Sequence, residues 1–184
     1  MGKEIKLPKE LFLVSMLGGA VFAAILFIAG LAMIEEPFLG VLFIVLGFLG
    51  VIYVLVINCL IVYRMWKSIQ DYCPHGLNYC RTTPGKAVVF MFFPLFNIYW
   101  IFQVYWGFSK DYNAFIKRHL VTTSQLPEGL FLAYAILTVV SAVPYLGMLA
   151  GIASLIILII MIVKICDAVN ALQTAAAPAK SLNH

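Results

Sequence analysis

Charge is what this chain has least of. Eight Asp and Glu and twelve Lys and Arg stand in 184 residues, against a hydrophobic share of 64% and a mean hydropathy of +1.02. One soluble core of this length cannot hide so much apolar surface, so lipid has to act as solvent and an ordinary water-soluble globule is excluded. Catalytic signatures are missing as well. There is no His-Glu-x-x-His, no Gly-x-Ser-x-Gly, no phosphate loop and no acidic pair within an apolar run, and the three histidines lie in polar segments or at the terminus. The expectation is a protein that is not an enzyme and carries no cofactor. Internal repeats are absent too, which takes support from an inverted-repeat transporter.

Cysteine is scarce and poorly spaced for metal. Cys73, His75 and Cys80 form Cys-x-His-x4-Cys, and zinc would need a fourth ligand from elsewhere, such as His119. No Cys-x-x-Cys or Cys-x-x-His pair accompanies them, so no metal site is expected and the thiols read as reduced.

What the chain does have is long apolar runs. Leu11 to Ile34 holds no charge, follows Lys3, Lys6 and Lys9 and stops at Glu35, Glu36 and Pro37, which predicts a first crossing that stays in the chain as a signal anchor. A second runs over 38–63, carries Asn58, and ends at Arg64 and Lys67 before the polar segment Ser68 to Lys86. Gly129 to Val163 is also uncharged, and as one helix it would be roughly 52 Å long at 1.5 Å per residue. A bilayer core is only ~30 Å thick. Val143-Pro144-Tyr145-Leu146-Gly147 supplies a break, so two helices over 128–142 and 146–166 are predicted, with one tilted, kinked helix as the rival.

The remaining apolar segment, Phe90-Met-Phe-Phe-Pro-Leu-Phe-Asn-Ile-Tyr-Trp-Ile-Phe102, is interrupted by Pro94 and Asn97. If 87–108 crossed, Lys110, Lys117, Arg118, Lys164 and Lys180 would fall outside; if 87–118 enters and returns, all twelve basic residues stay inside and the outer face keeps Glu35 and Glu36. The positive-inside bias favours the second arrangement, a re-entrant or interfacial segment, over a proline-kinked span. Its irregular backbone should then face protein, with Asn97 capping a helix that begins at Ile98. Tyr99, Gln103, Trp106, Lys110, Asn113 and Lys117 recur at helical spacing as one polar stripe. Trp100, Tyr105 and Trp106 suit headgroup depth, with Lys110, Lys117 and Arg118 reaching lipid phosphates or a partner. Asn58, Asn97 and Gln103 are the candidates for an intramembrane polar site.

Two charged clusters, Ser109-Lys110-Asp111-Tyr112-Asn113 and Lys164-Ile-Cys-Asp167-Ala-Val-Asn170, each place an acid close to a base and an Asn two or three residues after the acid. They read as pins at helix ends, with Lys reaching phosphate and Asp pairing with it.

Thr83-Pro-Gly-Lys-Ala-Val, Phe93-Pro-Leu-Phe-Asn-Ile-Tyr-Trp-Ile-Phe, Lys110-Asp-Tyr-Asn and Lys164-Ile-Cys-Asp-Ala-Val-Asn resemble a group of small bacterial multi-pass membrane proteins of uncharacterised activity, with a Pro-x-Phe-Asn-x-Tyr-Trp segment. The resemblance covers about residues 55 to 172 and implies a bacterial inner-membrane location. The sequence thus predicts an all-α bundle as one transmembrane domain, 1–172, with four crossings, a re-entrant or interfacial 87–118 and a disordered tail, 173–184. Both termini would be cytoplasmic. Expected partners are membrane lipids, a membrane-protein partner or a second copy, and not nucleic acid. A scaffold or accessory role is expected, with a small transporter or channel built on Pro94–Asn97 as the alternative.

Overall fold

The computed structural model describes residues 8–33, 35–71, 81–118 and 123–181, with side chains through Thr174. Among them all regular structure is helical: α1 (Lys9–Ala32), α2 (Pro37–Gln70), α3 (Pro84–Val89), a 3-10 turn (Phe90–Phe92), α4 (Pro94–Ile101), a π turn (Phe102–Trp106), α5 (Gly107–Arg118), α6 (Glu128–Val140) and α7 (Leu146–Ser181). Three helices, α1, α2 and α7, are long and apolar enough to cross a membrane. Helix α6 has 13 residues, about 20 Å at 1.5 Å per residue, which is shorter than a hydrocarbon core.

The chain divides into two compact units, Glu10–Ile61 and a larger one from Val62 onward that also takes in Lys9. The first is an antiparallel hairpin of α1 with the apolar part of α2. Side chains built on its glycines would meet partners that fall along one helix as they rise along the other: Gly19 faces Tyr53 and Val54, Gly50 faces Ala23, Gly47 faces Phe27, and Gly30 faces Ile44. Hydrophobic collapse cannot drive helix pairing in lipid, and small residues let the backbones approach closely enough for dispersion to do so. Phe27 and Phe48 add an edge-to-face contact at 5.0 Å. Outward positions are apolar too: Val14, Ile28 and Phe38 are 70%, 67% and 80% exposed, the pattern of a helix whose surroundings are hydrocarbon.

The larger unit has a true packed core. Trp66 on α2, Phe108 and Tyr112 on α5, Phe131 on α6 and Met161 and Ile165 on α7 are all fully buried. Trp66 meets Phe108 edge to face at 5.6 Å, and Tyr105 meets Tyr134 at 4.8 Å. Between α6 and α7 the chain turns over residues 141–145, where Tyr145 takes φ 67° and Gly147 N–H returns to the Val143 carbonyl at 2.7 Å. The pieces on either side of Pro144 are therefore two helices, and the single kinked helix is not what forms.

Prolines start helices throughout. Pro37, Pro84 and Pro94 each sit in a first turn, where the missing N–H has no helical acceptor to lose and φ is already set. Two expectations need correction. Helix α4 begins at Pro94 with Phe93 as its cap, so Asn97 lies inside the helix and its N–H bonds the Phe93 carbonyl at 2.7 Å. Pro94 is the better initiator, and it starts the helix four residues earlier than an Asn97 cap would. At the other end, α7 continues through Ser181 across the segment read as a disordered tail, because the Ala175–Ala177 run has the highest intrinsic helix propensity.

Candidate functional site

The segment 84–118 positions the polar groups. Phe93 is extended (φ −91°, ψ 106°), as the residue before a proline tends to be, and there the chain folds back. Trp100 Nε1 donates to the Ala87 carbonyl at 3.1 Å, and the Trp100 ring packs on Phe90 at 4.8 Å and on Phe96 at 5.3 Å. In one unbroken helix Ala87 and Trp100 would lie about 20 Å apart, so a kinked continuous helix is excluded. After α4 the π turn closes with Gly107 N–H on the Phe102 carbonyl, five residues back, and Ser109 Oγ donates to the Trp106 carbonyl at 2.8 Å. One extra residue in a turn advances the helix phase by roughly 100°. Helix α5 consequently presents Phe108, Tyr112, Phe115 and Ile116 to the core.

Three consecutive residues of α5 then join the larger unit together. Asp111, 7% exposed, accepts from the Arg81 backbone N–H at 3.0 Å and from Arg81 Nε at 2.9 Å. Tyr112 Oη donates to the Ala168 carbonyl of α7 at 3.2 Å and shares a hydrogen bond with Thr123 at 3.3 Å. Asn113 brackets Leu126, donating to its carbonyl at 2.9 Å and accepting its N–H at 2.8 Å, and Nδ2 also reaches Glu128 Oε1 at 3.0 Å. Gln70 Nε2, at the end of α2, donates to the Thr82 carbonyl at 3.0 Å. Burial raises the Asp111 carboxyl above its ordinary value of 3.8, and the Arg81 hydrogen bonds and charge, with Lys110, recover part of the shift. Burial likewise raises the Tyr112 phenol.

The two charged clusters thus meet at Tyr112 and Ala168, but their acids choose other bases than expected. Asp111 pairs with Arg81 and not with Lys110, and Asp167 pairs with Lys9 at 2.7 Å and not with Lys164. Lys110, next in sequence to Asp111, points away from it on the helix, whereas Arg81 approaches from another segment; Lys164 lies one turn from Asp167, yet Asp167 takes Lys9. Lys110 instead lies over the Trp106 ring, 3.3 Å from its centroid.

The candidates for lipid or partner contact separate. Trp100 and Tyr105 are buried, Trp106 and Lys110 are half-buried, and Lys117 and Arg118 are exposed. Of the intramembrane candidates, Gln103 Nε2 donates to Tyr99 Oη at 2.8 Å, Asn97 Oδ1 is buried with no hydrogen-bond partner among the described residues, and Asn58 belongs to the hairpin unit. Asn113, on the polar stripe in sequence, is buried. Arg81 was missed altogether, since it lies 30 residues from Asp111 and no local spacing links them. No group of three His, Cys, Asp or Glu side chains suited to a metal exists among the described residues, and Cys73, His75, Cys80 and His119 lie outside them. Neither a family model, a curated protein nor a solved structure matches the chain.

Proposed function

We propose that the chain is a non-catalytic multi-pass protein of the bacterial cytoplasmic membrane, a scaffold or accessory subunit whose basic cytoplasmic face contacts anionic lipid or a protein partner. The observation that carries this reading is the use of the buried polar groups: Asp111, Tyr112 and Asn113 all bond to the fold's own backbone and side chains. Groups so engaged hold segments in place and are not poised for proton transfer. The exposed cations Lys117 and Arg118 face outward at the end of the same helix. In this topology α6 is the short fourth crossing, the 84–118 segment enters and leaves on the cytoplasmic side, and Glu35 and Glu36 mark the outer face. The reversal at Phe93–Pro94 and the distribution of all twelve basic residues support it.

A transport reading has one observation in its favour, the buried Asn97 Oδ1 beside the break, which has no hydrogen-bond partner among the described residues. Single-cysteine labelling and flux measurement on the full chain separate the two. Positions 67, 110 and 117 should label from one side, and proteoliposomes should show no solute flux. Labelling of 110–118 from the opposite side would sink the topology, and flux abolished by Asn97→Ala in a folded protein would replace the function.

A further inference from the structure

We propose that Arg81 and Lys110 form a binding site for the phosphate of an anionic membrane lipid. The inference rests on the lipid-facing reading above and names the residues that would carry it. Arg81 uses only its backbone N–H and Nε toward Asp111, and its side chain stays 44% exposed. A guanidinium has five N–H donors, so the four on the two Nη atoms have no partner among the described residues. Asp111 fixes the base of the fork, and the Arg81 stem runs beside Gly107, its Cδ at 3.7 Å from where a Cβ would stand. Gly107 and Asp111 are one turn apart on α5, and Trp106 and Lys110 form the neighbouring row of the same turn. Two cations are therefore held over one turn of helix, opposed by a carboxylate whose oxygens are both engaged by Arg81.

The donor chemistry of the two side chains suits a tetrahedral anion. A preorganised guanidinium presents parallel donors to two phosphate oxygens, and an ammonium supplies a third contact as a point charge. A lipid is favoured over a soluble phosphate by what continues from the site: on the same rod α4 exposes Leu95, Ile98 and Tyr99 at 87%, 53% and 56%. An apolar and aromatic face that runs into a cationic end belongs at the boundary between acyl chains and headgroups.

Native mass spectrometry of the full chain offered equal phosphatidylglycerol and phosphatidylcholine tests it. Lys110→Ala, which removes a side chain that lies over Trp106 and makes no hydrogen bond or ion pair among the described residues, should lower phosphatidylglycerol retention about tenfold, the effect of one charge-assisted contact. Arg81→Gln should lower it at least as much. Replacing Lys117 and Arg118 together by alanine removes more charge and should cost less than Lys110→Ala alone. If that double variant loses as much or more, the lipid reading stands and this site falls. If wild type shows no preference for phosphatidylglycerol, both fall. Inorganic phosphate at millimolar concentration should displace the lipid only partly; Arg81-dependent binding of phosphate that leaves lipid retention unchanged would reassign the ligand to a soluble anion and overturn the lipid assignment.

Discussion

Trp100 and Ala87 are joined by an indole N–H to carbonyl hydrogen bond of 3.1 Å across the reversal at Phe93–Pro94. That bond makes a structural element out of a segment whose composition alone suits a crossing. Trp100→Phe preserves most of the ring and deletes the donor, so it should cost about 1 kcal/mol, while Trp100→Ala should cost about 3–5 kcal/mol through lost packing on Phe90 and Phe96. Unfolding in detergent measures both. A phenylalanine variant as stable as wild type would mean that the bond contributes nothing to the reversal.

Asn113 should be the most sensitive polar residue. Alanine leaves the Leu126 N–H and carbonyl without their partner, which predicts a loss of about 2–4 kcal/mol. Asn113→Asp keeps the acceptor for Leu126 N–H but sets a carboxylate against Glu128. Its deficit should shrink as pH falls and one carboxyl of the pair protonates, and a deficit independent of pH would show that Glu128 does not sense the site.

Asp111 gives a pH dependence of defined sign. Its pKa is raised on folding, so folding favours the protonated form; the contribution is fully present below the ordinary value of 3.8 and is lost as pH rises through the folded value. The stability difference between wild type and Asp111→Asn should therefore move against wild type as pH rises from acid toward neutral. Movement in the opposite direction would mean that Arg81 outweighs burial.

Gly147 and Gly151 make a controlled pair on α7. A Cβ at Gly147 would collide with the Ser141 carbonyl oxygen, whereas one at Gly151 meets nothing within 4 Å. Gly147→Ala should be clearly destabilising because the obstacle is backbone, and Gly151→Ala should be neutral or stabilising by about 0.5–1 kcal/mol from helix propensity. Equal behaviour of the two would place the turn elsewhere than residues 141–145.

The all-helical class and the three long apolar helices were legible because a continuous uncharged run has few other physical solutions. The start at Pro94 was misplaced to Ile98, because Asn97 offers a capping side chain while Pro94 in an apolar run reads as a break. The site was not legible. Helical periodicity placed Asn113 on one polar stripe with Tyr99 and Lys110, but the π turn at 102–106 shifts the phase between Tyr99 and α5, and within α5 Asn113 is buried by its bonds to Leu126 and Glu128. No residue in Phe-Gln-Val-Tyr-Trp announces such a turn, since the contacts that favour it, Tyr105 on Tyr134 and Phe108 on Trp66, come from distant segments. Arg81 and Lys9 were invisible as partners of the two acids because pairing across a fold leaves no spacing to read.

Lys9 and Asp167 are 158 positions apart, and that separation orders events in time. Synthesis runs from the N-terminus at about 5–20 residues per second, so the glycine-lined hairpin has its contacts available once Val54 has emerged, well before α7 exists. Lys9 must wait for nearly the whole chain. An exposed ion pair is worth only about 0–1 kcal/mol, too little to pull the last helix in. It can close only on an assembly that packing has already completed, which makes it a late mark of insertion finished and not a cause of it.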